Sequence, residues 1–175
     1  MASRRQLLCL AACALPLAPA ALAQTYRQIS WNELVPPRWD PMKEVRDVPP
    51  DLEALQDTDP RAQAFMQRLR QVLDDAPLVE TIHGSDVRLP GYVVPLEQAR
   101  EGLREFLLVP YFGACIHSPP PAANQILLCT PRTPVKGLRS MEAVWVSGRL
   151  TVARAQTEMG RTGYALAATS VQKQG

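Results

Sequence analysis

The chain has 175 residues, 46% of them hydrophobic and 21% charged, which is enough apolar material for a single domain with its own core. Its 19 basic and 17 acidic residues give a formal net charge of +2, and without Arg4 and Arg5 near the start of the chain the basic count falls to 17 and the balance is neutral. With only 3 Trp, 4 Tyr and 3 Phe as well, the chain lacks the cationic footprint and the stacking surfaces of a nucleic-acid binder.

Residues 1–23 read as a removable export signal: a basic start at Arg4 and Arg5, an apolar run from Leu7 to Leu15, and a small-residue exit at Ala21, Leu22 and Ala23 before Gln24. The expected cleavage falls between Ala23 and Gln24. Pro16 and Pro19 interrupt the run, which is shorter than the roughly 20 residues of a spanning helix, so no integral membrane segment is expected. Ser3, Arg4, Arg5, Gln6, Leu7 and Leu8 resemble the twin-arginine export motif, with general secretion as the alternative. Leu10, Ala11, Ala12 and Cys13 resemble a lipidation box, but a tether continuing Ala14, Leu15, Pro16, Leu17 is unusually greasy, so a periplasmic protein without a lipid anchor is the reading taken.

Residues 24–58 form a proline-rich arm, in which Trp31, Leu34, Val35 and Trp39 are scattered among Pro36, Pro37, Pro41, Pro49 and Pro50. The prolines argue against helix and central strand, and the tryptophans against a loose tail. The arm either packs over the domain or binds a partner. Asp59 and Pro60 then open an amphipathic helix with a cap and a first-turn proline, and Phe65, Met66, Leu69, Val72 and Leu73 make its apolar stripe. Arm and helix together occupy residues 24–76.

From residue 77 to 175 the pattern is that of strands. Leu78 to Ile82 leads to a turn at residues 83–86, and Val87 to Leu96 is a long strand bent near Pro90 and Gly91. Pro90 and Pro95 read as marks of an edge or a bulge. Further strands follow at Phe106–Val109, Gln125–Cys129, Ala143–Val152 and Tyr164–Ala168, with a connection over Val135–Met141. The expected fold is mainly β: a small five-stranded barrel resembling the oligonucleotide/oligosaccharide-binding (OB) fold, with an open sandwich as the alternative. Such a fold assigns no function.

Chemistry concentrates between Tyr111 and Gln125. Cys115 and His117 stand two apart, so in extended backbone both side chains project to one side, while Pro119, Pro120 and Pro121 stiffen the loop. A thiolate beside an imidazole is half of a transition-metal site, with zinc or copper(I) the fitting ions. His83, Cys129, Asp86, Glu97 and Glu158 are further donors that sequence does not place near it. The interaction alternative makes Tyr111, Phe112, Pro119, Pro120, Pro121, Asn124 and Gln125 a contact surface without metal. A disulfide between Cys115 and Cys129 is opposed by geometry: if residues 106–109 and 126–129 are paired, the two lie at opposite ends of the ladder, at about 3.3 Å per residue well beyond bridging distance. A thiol enzyme with His117 as base has no third orienting group, and no enzyme is expected.

The runs Val87–Glu97, Phe106–Tyr111, Gly113–His117, Pro119–Pro121, Asn124–Gln125 and Val144–Gly148, with Trp31 and Leu34, resemble domain-of-unknown-function family 3299 of exported proteins and lipoproteins of Gram-negative bacteria. That resemblance implies an accessory role in the envelope, beside an ABC-type transporter component, and mildly favours metal handling at Cys115 and His117. Ala122 and Ala123 stand where the family extends its proline run, and His83 and Cys129 lie outside its motif. The resulting expectation is a periplasmic accessory or binding protein of an envelope transport system, working through the Cys115–Pro121 loop with a transition metal or as a metal-free interaction module.

Overall fold

A computed structural model describes residues 25–114 and 121–174; the leader, its expected cleavage point at Ala23 and Gln24, and Cys115 to Pro120 of the loop lie outside the described residues. The architecture is mainly β, a six-stranded mixed sheet. Its strands are β1 (Arg27–Gln28), β2 (Ser85–Ala99), β3 (Gly102–Val109), β4 (Leu127–Pro131), β5 (Ala143–Thr157) and β6 (Gly160–Lys173). They lie in the order β1-β2-β3-β4-β6-β5, and β5 pairs again with β2, so the pairings from β2 to β5 run in a ring. All pairs are antiparallel except β1 with β2 and β4 with β6.

Alternation along the strands builds the core. Val87, Leu89 and Val93 of β2, Phe106 and Leu108 of β3, Leu127 and Cys129 of β4, Val144, Val146 and Leu150 of β5, and Tyr164 and Leu166 of β6 form one buried cluster. The intervening residues Val94, Leu107, Val109 and Ile126 are buried too, in a second cluster with Ala114 on the opposite face. The segment β2–β3–β4 is therefore apolar on both sides.

Pro90 is not on an edge. β2 pairs with β5 from Ser85 to Tyr92, while its other side meets β1 up to Arg88 and β3 from Tyr92 onward. Pro90 falls in the gap between those two neighbours, where a missing N–H costs nothing, and its carbonyl accepts from Trp31 Nε1 at 2.8 Å. The bulge expected of a strand proline is present after Pro95, where the register shifts around Glu97.

The arm differs from expectation in having local structure. Pro41–Glu44 is one turn of helix, α1, because Pro41 sits at its first position and the Asp40 carboxylate accepts from Met42 N–H. The arm also gives β1 and sends Ile29 and Leu34 into the main core. Helix α2 (Pro60–Asp74) is capped by Asp59 as read from sequence, and Phe65, Leu69 and Leu73 pack against Val45 and Ala122. The stretch Leu78–Ile82, read as strand-like, is instead a short 3-10 turn over Glu80–Ile82. Leu78 and Ile82, four apart, both pack on the main core, a spacing that strand and helical turn satisfy alike, so the apolar pattern does not separate the two. Gln125, read as the start of a strand, ends another 3-10 turn over Ala123–Gln125.

Candidate functional site

The loop that leaves β3 and enters β4 stands on two fixed feet. On the first, Gly113 takes a positive φ of 82°, which glycine adopts without strain, and its N–H donates to Met141 Sδ at 3.4 Å. Ala114 N–H donates to the Tyr111 carbonyl at 3.3 Å, and the Ala114 side chain is sealed in the second cluster. This turn pushes the two aromatics outward: Tyr111 is 48% and Phe112 66% exposed. Phe112 meets Tyr92 edge to face, with ring centroids 6.0 Å apart.

On the second foot, Gln125 N–H donates to the Ala122 carbonyl at 2.8 Å and Ile126 N–H to the Ala123 carbonyl at 3.3 Å. The foot lies hard against β6, since a Cβ on Gly163 would stand 2.7 Å from the Ala123 oxygen. Pro121 and Asn124 are buried and Gln125 half-buried, so of these three proposed contact residues only Gln125 shows appreciable surface. The Asn124 Nδ2 donates to the Pro77 carbonyl at 3.0 Å, tying the foot to the end of α2; its Oδ1 has no partner. Cys115, His117, Pro119 and Pro120 lie outside the described residues.

The other candidate donors are dispersed. Cys129 is opposite Phe106, the register expected from the strands, and it is a free, buried thiol. Burial pushes that thiol well above the ordinary range, which opposes the thiolate form that a metal requires. His83 Nδ1 accepts the Val152 N–H at 3.2 Å, and Asp86 faces Arg149 at 3.6 Å. Glu97 and Glu158 line a groove with Glu105, Leu96 and Leu128. Among the described residues no group of three His, Cys, Asp or Glu is close enough to hold a metal ion. The sequence reading missed Met141, whose left-handed φ of 60° and position under Gly113 make it the keystone of the first foot; nothing in its local pattern marks it.

These features define a mainly β protein with a six-stranded mixed sheet, a packed N-terminal arm and a pinned loop carrying exposed aromatics; no helix among the described residues is long and apolar enough to cross a membrane. The chain belongs to the family described as protein of unknown function DUF3299, whose model matches residues 31–173. It is similar to a DUF3299 family protein of Pseudomonas aeruginosa known from a crystal structure, at 32% identity, with 87% of this chain and 98% of that one covered and a TM-score of 0.65. A small single-stranded DNA-binding protein of Streptomyces coelicolor aligns over 53% of this chain and 95% of its own, at 14% identity and a TM-score of 0.32. No curated protein matches.

Proposed function

We propose that the protein is an exported accessory module of the bacterial envelope that grips a partner protein with the aromatic lip of its β3–β4 loop. The observation that carries this reading is the exposure of Phe112 and Tyr111 on a backbone fixed at both feet. Large aromatics held out on a pinned turn lose little entropy on binding and are the side chains that anchor interfaces. The family resemblance points to a component of an ABC-type envelope transporter as the partner.

The ring of pairings with one parallel pair supports reading β2 to β6 as an OB-like barrel. In OB folds that bind oligonucleotides, the second and third strands present the binding face. Here Leu107 and Val109 on that face are already buried under apolar neighbours, which favours a protein partner over nucleic acid.

A transition metal held by Cys115 and His117 is the second reading, and Met141 favours it: its thioether is fixed at Gly113, two residues before Cys115 in sequence, and a thioether ligand would turn the preference from zinc toward copper(I). One preparation tests both. A photo-crosslinking residue at Phe112 in cells is expected to capture a transporter component that the same residue at the exposed Met42 does not. Equal or absent capture at both positions overturns the interaction reading. Equimolar copper in the purified protein, lost in Cys115→Ser, His117→Ala and Met141→Leu, would establish the second.

A further inference from the structure

We infer that the far end of β4 opens a separate binding site, a strand-addition cleft along β6 that takes an extended, acidic segment of a partner protein. β4 stops at Pro131, opposite Ala168, whereas β6 runs on to Lys173. The last bond on this side is Arg132 N–H to the Ala168 carbonyl, 3.0 Å. From Ser170 to Lys173, β6 is paired with β5 alone.

The chain opens here for a local reason. Pro134 has no N–H to continue the ladder, and Val135 is drawn away by two bonds with Leu103, of 2.9 and 3.0 Å. A cleft of about 440 Å³ is left between residues 131–136 and residues 168–171. Both walls are fixed, one by the Leu103–Val135 bridge and the other by β5. Lys173 closes one end through its Nζ, which donates to the Gly137 carbonyl at 2.7 Å.

Backbone groups face into the opening. Gln174 N–H donates to the Ala143 carbonyl at 2.9 Å, so by alternation Gln172 also turns toward β5, and Val171 and Lys173 present N–H and C=O on the open side. A short strand laid there would extend the sheet where β4 leaves it.

The charge of the cleft selects the occupant. Arg132 and Lys136 line it, and among the described residues neither is in an ion pair, whereas Lys173 is held by Glu142 at 2.6 Å. Thr133 and Ser170 supply hydroxyls, while that of Thr169 donates to the Ser147 carbonyl at 3.0 Å. A second copy docking edge to edge would set Arg132 and Lys136 against their own like, and the leader, with Arg4 and Arg5 and no acidic residue, carries the same sign. An acidic strand from another protein fits both the ladder and the field. The site lies at the opposite end of β4 from the aromatic loop and does not depend on the reading given above.

The test uses the 15N-labelled protein and three hexapeptide probes: alternating Glu and Val, the same peptide N-methylated at alternate residues, and alternating Lys and Val. The Glu–Val probe is expected to shift the Val171 and Lys173 amides and slow their hydrogen exchange. The N-methylated and Lys–Val probes are expected to bind at least about tenfold more weakly, because one lacks backbone donors and the other carries the wrong charge. Arg132→Glu with Lys136→Glu is expected to weaken the Glu–Val probe by a similar factor while the unfolding midpoint is unchanged. Unprotected Val171 and Lys173 amides at saturating probe, or equal binding of the N-methylated peptide, overturns the proposal without altering the protein.

Discussion

Tyr164 ties three separate parts of the chain together. Its ring is wholly buried on β6, its hydroxyl donates to the Leu34 carbonyl of the arm at 2.7 Å, and it accepts from Val79 N–H at 2.8 Å. Tyr164→Phe keeps the ring and leaves both backbone groups unpaired, so a loss of about 1–3 kcal/mol in urea unfolding is expected. Burial also raises this hydroxyl above the ordinary tyrosine value of 10.0. The unfolded chain therefore loses the proton first as pH rises: stability from the neutral phenol is complete below pH 10 and drains away above it. Unfolding followed from pH 8 to 12 should show an alkaline decline that is shallower in Tyr164→Phe; parallel declines would mean that other groups control it. Nothing in the sequence around Tyr164 separates it from an ordinary core aromatic, because its partners lie 130 and 85 residues away.

At the level of elements, helix α2 is held by chemistry from the opposite end of the chain. Arg154 of β5 donates to the carbonyls of Asp74, Asp75 and Ala76, at 3.1, 3.4 and 2.6 Å, satisfying groups that the end of the helix leaves orphaned. Arg161 of β6 adds an ion pair to Asp75 at 2.8 Å. Arg154→Ala is expected to cost about 1–2 kcal/mol and to speed amide exchange in the last turn of α2, with Phe65 and the first turn unaffected. Uniform exchange along the helix would show that packing alone fixes it. The helix itself was legible, since cap, proline and stripe agree. The strands were legible only where they are buried: β5 and β6 run past the expected ends to meet between Thr157 and Gly160, in a hairpin of Gln156, Thr157, Glu158 and Arg161 that has no apolar alternation to read. β1 is two exposed residues that owe their conformation entirely to β2. At the loop, the outward aromatics were legible from their place beside the prolines. The inward turn of Pro121 and Asn124 was not, because the α2 end and β6 that receive them are distant in sequence.

For the molecule as a whole the decisive contact is between the arm and the sheet. Leu34 is 0% exposed and Ile29 3%, and both belong to the same cluster as Phe106 and Tyr164. Trp31 packs against that cluster and donates to Pro90 at the point where β2 changes neighbours. The arm is thus a wall of the core, and the alternatives weighed for it, cover or partner-binding tail, resolve for its first ten described residues in favour of cover. Leu34→Ala should then behave as a core truncation, costing about 3–5 kcal/mol, whereas Met42→Ala in the exposed part of the same arm should change stability by less than about 0.5 kcal/mol. The comparison is made by denaturant unfolding with the same m-value in both variants, so that the difference reads as stability. If Leu34→Ala were as mild as Met42→Ala, the sheet would close its core without the arm, and residues 25–58 would be released for a partner.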